Sequence, residues 1–210
     1  MTLMTERPTT SGTEPNSFED LLNTLDELDV PGYRAEIIRG SIVLSPWSKG
    51  YYTDIMELVC DQLRPHLPEG HRISYGPNLY VFPEDERAYG PDVHVAPRHV
   101  FRTTSNRLDG EALSFVAELT STSTRDDDLT DKVLVHGRAG VPVYLVLDMQ
   151  EEQATVFWTP SVKGYESHCT RPFGEELPIP APFDCKLETT GFQAPEEGED
   201  GDWLTPPPAP

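Results

Sequence analysis

The chain has 210 residues, of which 37% are hydrophobic and 25% are charged, and its formal net charge is −20. This length and composition are typical of one folded domain with polar extensions. The negative charge argues against a general nucleic-acid-binding surface, because phosphate contacts need lysine and arginine. No apolar run is long enough to span a membrane, and the N-terminus lacks the basic start and apolar middle of a secretory signal.

The ends of the chain are its most polar parts. Residues 1–16 are rich in Thr, Pro, Ser and Glu, and residues 194–210 are acidic and then proline-rich. We therefore predict disordered tails at 1–16 and 194–210 around a single domain at 17–193. The middle of the chain is still acidic, so nucleic-acid binding there would need a local basic patch or metal ions.

The three cysteines Cys60, Cys169 and Cys185 are widely separated, and no C-x-x-C pair is present. This pattern favours reduced thiols that pack as small apolar residues, which is typical of a cytoplasmic protein.

Periodicity predicts two helices and several strands in the first half of the chain. Ser17 and Asp20 form a capping-box pattern ahead of leucines at helical spacing. The predicted elements are a helix from Ser17 to about Val30, a strand pair over 33–44 turned at Arg39-Gly40, a helix from Tyr52 to about Pro65, and strands at 72–75 and 79–82.

The second half alternates strands with one helix. The predicted elements are a charged turn over 83–90, a strand opening at Pro91-Asp92, a polar loop over 97–112, a buried strand over 113–117, a helix starting near Thr124 or Asp127 and stopping at Gly137 or Gly140, a strand over 141–147, an antiparallel pair at 154–158 and 165–169, and a proline-containing segment over 171–193.

Two acidic residues stand at the ends of apolar strands. Glu118 follows the run Leu113–Ala117, and Asp92 opens the strand that precedes it in the chain. A carboxylate at the end of a buried strand is costly unless a cation meets it. If the two strands are neighbours, Asp92 and Glu118 converge on one point, where a hard divalent cation fits.

The ordered set of motifs resembles a known nuclease family. The motifs are Tyr33-Arg-Ala-Glu36-Ile-Ile-Arg-Gly40, Ser45-Pro46, Pro91-Asp92-Val93, Glu118-Leu-Thr-Ser-Thr-Ser-Thr-Arg125, Asp128 with Lys132, and Ala139-Gly-Val-Pro-Val-Tyr-Leu-Val-Leu-Asp148. Together they resemble the restriction endonuclease-like superfamily, known for the PD-(D/E)xK motif, and more closely the bacterial Uma2 family. The resemblance implies an α/β fold with a central mixed β-sheet flanked by helices.

The resemblance also implies a metal site and its residues. Asp92 and Glu118 would bind Mg²⁺ or Mn²⁺. Thr120 stands where the superfamily motif has its lysine, so Lys132 on the following helix is the matching migrated lysine. Glu36 matches a family acid that either binds the metal or holds a water. Many nucleases of this fold act as homodimers.

Simpler interpretations of the same residues are compatible with the sequence. Asp92 could cap a turn after Pro91, and Lys132 could extend over the core without chemistry. The acids at 126–128 suit a helix N-terminus. The family also more often has a tyrosine at the position of His136.

Three functions follow, and the first is the best supported. The chain is predicted to be a metal-dependent endonuclease that hydrolyses DNA phosphodiester bonds. The alternative is a catalytically inactive nuclease-like fold that binds a protein partner, which the net charge and the missing lysine at Thr120 favour. Hydrolysis of another phosphoester, such as RNA, is a third hypothesis.

Overall fold

The computed structural model describes residues 17–31, 33–46, 48–76 and 78–195. The predicted tail at 1–16, and the part of the predicted tail at 194–210 that follows residue 195, lie outside these residues. The α-helices in the described ranges are α1 (Phe18–Glu27), α2 (Tyr51–Leu63), α3 (Arg125–Leu129) and α4 (Asp131–Arg138). None of them combines the length and the apolar character needed to cross a membrane.

The strands of the described ranges follow the predicted order, with several short additions. They are β1 (Tyr33–Ile38), β2 (Ser41–Pro46), β3 (His71–Tyr75), β4 (Leu79–Phe82), β5 (Arg87–Tyr89), β6 (Val93–Pro97), β7 (Arg107–Asp109), β8 (Phe115–Leu119), β9 (Val143–Asp148), β10 (Gln153–Ser161), β11 (Gly164–Pro172), β12 (Glu176–Ile179) and β13 (Cys185–Glu188).

The fold is α/β with mixed sheets, as predicted, although the strands divide into more than one sheet. A six-stranded sheet has the order β11-β10-β9-β8-β6-β3, and a five-stranded sheet has the order β2-β1-β5-β4-β7. The pair β8–β9 is parallel and its neighbours are antiparallel, which makes the larger sheet mixed. A small hairpin of β12 and β13 lies in the segment over 171–193, where we predicted no strand.

Both faces of the six-stranded sheet are covered. One apolar cluster joins α2 and the β12–β13 hairpin to residues such as Phe115 and Leu145. Another joins α4 and the five-stranded sheet to Val116 and Tyr144, whose side chains alternate with those of the first cluster. Every residue of β9 is therefore buried, which explains its continuous apolar sequence.

The helix predicted after Thr124 is divided into α3 and α4 at Thr130. The Thr130 hydroxyl donates to the carbonyl of Asp126, four residues earlier, and accepts from Nη2 of Arg39 at 3.2 Å. A threonine bonded to the preceding turn bends a helix, and the arginine fixes the bent conformation. The sequence pattern predicts the helical residues of both α3 and α4, but it does not reveal the tertiary contact with Arg39 that separates the two helices.

Two glycines near the end of α4 have different roles. The helix ends at Arg138, and Gly140 has φ +76°, so the prediction of a glycine terminator is correct for Gly140. Gly137 lies inside the helix instead. A Cβ on Gly137 would stand 2.1 Å from the carbonyl oxygen of Gly164, the first residue of β11. The absence of a side chain therefore allows α4 to pack directly on backbone.

Replacing Gly137 with alanine is expected to lower the free energy of unfolding by about 2–3 kcal/mol, because the new methyl group meets backbone that cannot move aside cheaply. Urea denaturation followed by circular dichroism measures the change. Gly50→Ala is the matched control, since a Cβ there meets nothing within 4 Å. Equal stability of the two variants would contradict the close packing of α4 on Gly164.

Candidate metal centre

The two predicted metal ligands lie at the same end of neighbouring strands. β6 and β8 are adjacent and antiparallel, and Val93 pairs with Ala117. Asp92 precedes Val93 and Glu118 follows Ala117, so both acids flank the last pair of the ladder. Both are buried, with 6% and 1% of their surface exposed. The predicted adjacency of the two strands is confirmed.

Lys132 lies at the centre of this group. Its Nζ is 2.9 Å from Oε1 of Glu118, 3.0 Å from Oδ1 of Asp128 and 3.4 Å from Oε1 of Glu36. Only 1% of the lysine side chain is exposed. The Nζ also lies 5.5 Å from the centre of the Tyr89 ring. The lysine is thus not an isolated cation extending over the core, because three carboxylates converge on it.

The remaining contacts fix Glu36 and Asp92. Oε1 of Glu36 accepts a hydrogen bond from the backbone N–H of Gly90 at 2.7 Å. Asp92 accepts one from Nη1 of Arg34 at 2.9 Å and another from the backbone N–H of Leu119 at 2.8 Å. The structure therefore brings all four predicted site residues into one region, through Lys132 on one side and Arg34 on the other.

The cluster contains more negative than positive groups. Four carboxylates face two cations, which are Lys132 and Arg34. A buried group with excess negative charge must bind a cation or hold protons. Oxygen ligands of this type are those that Mg²⁺ and Mn²⁺ prefer.

The pKa shifts of the cluster express this imbalance. Burial, followed by the charges of Asp128, Asp92 and Glu36, raises the pKa of Glu118 well above its usual range against the opposing effect of Lys132. Burial also raises the pKa of Asp128. Burial opposes the charged form of Lys132, but the surrounding carboxylates outweigh it and raise the lysine pKa. The pKa of Glu36 is lowered, because Lys132, Arg34 and the Gly90 N–H together outweigh burial.

The carboxylate oxygens of the cluster are chemically suited to a divalent cation, but they face other protein groups. Within the described part of the chain, no three or more His, Cys, Asp or Glu side chains are grouped in a way that could hold a metal ion. The reason is visible in the contacts, since the carboxylates point at Lys132, Arg34 and backbone N–H groups. Metal binding would therefore require these side chains to turn from their present partners.

Two residues of the cluster were not predicted as site residues. The sequence predicts Asp128 as a helix N-terminal charge, yet it is buried and paired with Lys132. The signal was its i,i+4 spacing to Lys132, which places both on one helix face. Arg34 stands two residues before Glu36 on β1, so the two side chains share a face of the strand.

Thr120 shows why the lysine of the plain motif is absent. Its hydroxyl donates to Oε1 of Gln150 at 2.8 Å and accepts from the backbone N–H of Met149 at 3.0 Å. The residue is buried directly after β8, so a lysine there would disrupt the bonds that tie the end of β8 to the segment after β9.

His136 is a packed residue beside the cluster. It is fully buried, and its ring lies 4.9–5.6 Å from the rings of Tyr144, Phe82 and Tyr89. Neither ring nitrogen has a hydrogen-bond partner in the described structure. Burial, reinforced by the charge of Lys132, lowers the pKa of His136 to about 3. The imidazole is therefore neutral over the physiological range.

The buried imidazole is expected to make stability depend on pH. Its pKa is lower in the folded state than the ordinary 6.5, so the unfolded chain binds the proton first and stability is lost as pH falls below about 6.5. Between pH 7 and pH 5, this group should remove about 2 kcal/mol from the free energy of unfolding. Denaturant titrations of the wild type and His136→Phe at both pH values should show this difference, whereas exposed His66→Phe should follow the wild type.

Comparison with known proteins identifies the family. The Uma2 family model, described as "Putative restriction endonuclease", matches residues 18–190. The chain belongs to the Uma2 family. The predicted resemblance is thereby confirmed, and the matched range covers all the cluster residues described above.

A solved structure supports the fold of this Uma2 chain. It is a crystal structure from Anabaena variabilis described as a "putative nuclease belonging to DUF820", with 17% sequence identity and a TM-score of 0.62. The similarity covers 81% of this chain and 92% of that one. At this identity the likeness establishes the shared fold. A comparison with curated proteins found no match.

Proposed function

We propose that this chain is a divalent-metal-dependent nuclease that hydrolyses DNA phosphodiester bonds. The observation that carries the proposal is the buried Lys132 among Glu36, Glu118 and Asp128, in a chain of the Uma2 family. Asp92 and Glu118 would hold the ion, and Glu36 and Asp128 would complete or support its shell. Three acids contact this lysine, so together they hold more negative charge than this one cation neutralises.

The reaction adds a water oxygen to phosphorus and breaks one bond from phosphorus to a sugar oxygen, which takes up a proton. A bound divalent cation would neutralise charge on the phosphate and acidify water. Lys132 would supply a further positive charge to the phosphate, since its Nζ stands 2.9 Å from a proposed ligand oxygen. The dry surroundings strengthen each of these charge interactions.

Calorimetric titration with Mn²⁺ tests the site, and nicking of supercoiled plasmid tests the activity. The wild type is expected to bind Mn²⁺ and to nick DNA in its presence. Asp92→Asn should weaken Mn²⁺ binding at least about 10-fold, because a charged ligand becomes a neutral one. Asp61→Asn is the matched control, since Asp61 is 76% exposed on α2.

The rival function is a nuclease-like fold that binds a protein partner without catalysis. It is favoured by the net charge of −20 and by the pairing of every cluster carboxylate with a protein group. A wild-type chain that binds no Mn²⁺ and leaves plasmid intact would reject the nuclease and favour this rival. If RNA is cleaved and DNA is left intact, the substrate is RNA instead of DNA.

A further inference from the structure

A cleft of about 480 Å³ opens beside the candidate metal centre. Arg34 belongs to both, because it lines the cleft and donates to Asp92 at 2.9 Å, with 27% of its side chain exposed. Leu119 also lines the cleft, and its backbone N–H donates to the other oxygen of Asp92. One end of a molecule bound in the cleft would therefore lie next to the buried carboxylates.

The lining of this cleft differs from the rest of the chain. The described lining residues include two cations, Arg34 and Lys49, and no carboxylate, although the chain has 36 acidic residues. The other polar groups are mainly hydroxyls, from Ser45, Ser48 and the run Ser121–Thr124. Hydroxyl, lysine and arginine side chains are the usual donors to phosphate oxygens in nucleic-acid complexes.

The cleft suits one strand better than a duplex. Its volume lies in the range that holds a ligand of nucleotide size. A duplex carries a phosphate charge about every 1.7 Å and needs many cations along its length. Arg107, the first residue of β7, is not free to contact a duplex, because it pairs with Asp26 at 2.6 Å and Glu19 at 3.1 Å. An acidic chain with two cations in the cleft would repel a duplex more than a single strand.

We propose that the hydroxyl cleft, lined by Arg34, Lys49 and the Ser121–Thr124 run, binds a single-stranded segment of DNA. The proposal rests on the proposed nuclease function and specifies its substrate. Arg34 positions one phosphate beside Asp92 and Glu118. Lys49 holds a neighbouring phosphate, and the hydroxyls bond to the strand without adding charge. The substrate is then single-stranded or locally opened DNA.

Fluorescence anisotropy with a labelled oligodeoxynucleotide of about eight bases tests the proposal, using the full chain in EDTA so that no cleavage occurs. The single strand is expected to bind at least 10-fold more tightly than the matching duplex. Two phosphate contacts predict a slope of about −1.4 for the logarithm of the binding constant against the logarithm of salt concentration. This slope is shallow for a nucleic-acid-binding protein.

Matched variants separate charge from hydroxyl contacts. Lys49→Gln should weaken binding and reduce the slope to about −0.7, whereas exposed Lys163→Gln on the β10–β11 turn should change neither quantity. The double variant Thr122→Val, Ser123→Ala should weaken binding several-fold and leave the slope unchanged, because hydroxyls release no counterions.

The outcomes distinguish this inference from the proposed function. Tighter binding of duplex, a slope steeper than about −4, or no binding of the single strand would overturn the cleft assignment, even if metal-dependent cleavage is observed. Binding of the single strand with the predicted slope, without any Mn²⁺-dependent cleavage, would retain the cleft and reject the nuclease.

Discussion

Replacing Lys132 with methionine is expected to lower the free energy of unfolding by about 3–5 kcal/mol at neutral pH. Methionine has a similar length and packs well, so the loss arises from charge and not from a cavity. Glu36, Glu118 and Asp128 would keep their burial and lose their common cation. An uncompensated buried charge is among the most destabilising changes that a single substitution can make.

The loss of unfolding free energy in Lys132→Met should become smaller as pH falls. Lys132 lowers the pKa values of all three carboxyls, so these values rise when the lysine is removed and the folded variant takes up protons that the wild type does not. The difference in unfolding free energy between wild type and variant should therefore narrow between pH 7 and pH 4.5. Urea denaturation at several pH values measures it. A pH-independent difference would indicate lost packing instead of unpaired charge.

A double variant and a surface control isolate the buried charge. Adding Glu118→Gln to Lys132→Met removes one of the stranded carboxylates, so the double variant should recover at least about 1 kcal/mol. Lys163→Met, at an exposed position, should stay within about 0.5 kcal/mol of the wild type. A Lys132→Met variant as stable as this control would show that the cluster does not depend on the lysine.

The acids at strand ends can be predicted, because a carboxylate directly before or after an apolar run is recognised within a few residues of sequence. Asp92 and Glu118 are examples, and they lie beside the same ladder pair. The family resemblance, more than periodicity, pointed to Lys132. The pairing of Lys132 with Glu36 depends on how α4 meets β1, which is a contact between distant parts of the chain.

Two of the strands that the sequence does not predict, β5 and β7, share a physical cause. β5 and β7 have three residues each, which is too short for alternation to be recognised. β7 pairs in parallel with β4, and β5 joins β1 to β4, so both are specified by neighbours and not by local pattern. The break at Thr130 has the same origin, because Arg39 from the β1–β2 turn holds it.

The substitution Glu118→Gln is expected to separate activity from stability. Glutamine has the shape of glutamate and cannot supply a charged ligand, so Mn²⁺-dependent plasmid nicking should fall at least about 100-fold. Lys132 keeps Asp128 and Glu36 as partners, at 3.0 and 3.4 Å, so the fold retains most of the ion-pair contacts of the cluster. Glu166→Gln, on the exposed side of β11, is the matched control and should nick DNA like the wild type.

The raised pKa of Glu118 fixes the sign of the stability change. A group whose folded pKa is above its ordinary 4.5 stabilises the fold at low pH and loses that contribution as pH rises through the folded value. The glutamine variant has no carboxyl group at this position to lose a proton. Its free energy of unfolding relative to the wild type should therefore increase from pH 4.5 to pH 8. If the variant instead became relatively less stable over that range, the carboxylate would be stabilising the cluster. Glu118 would then be a structural partner of Lys132 and not an acid poised for a metal ion.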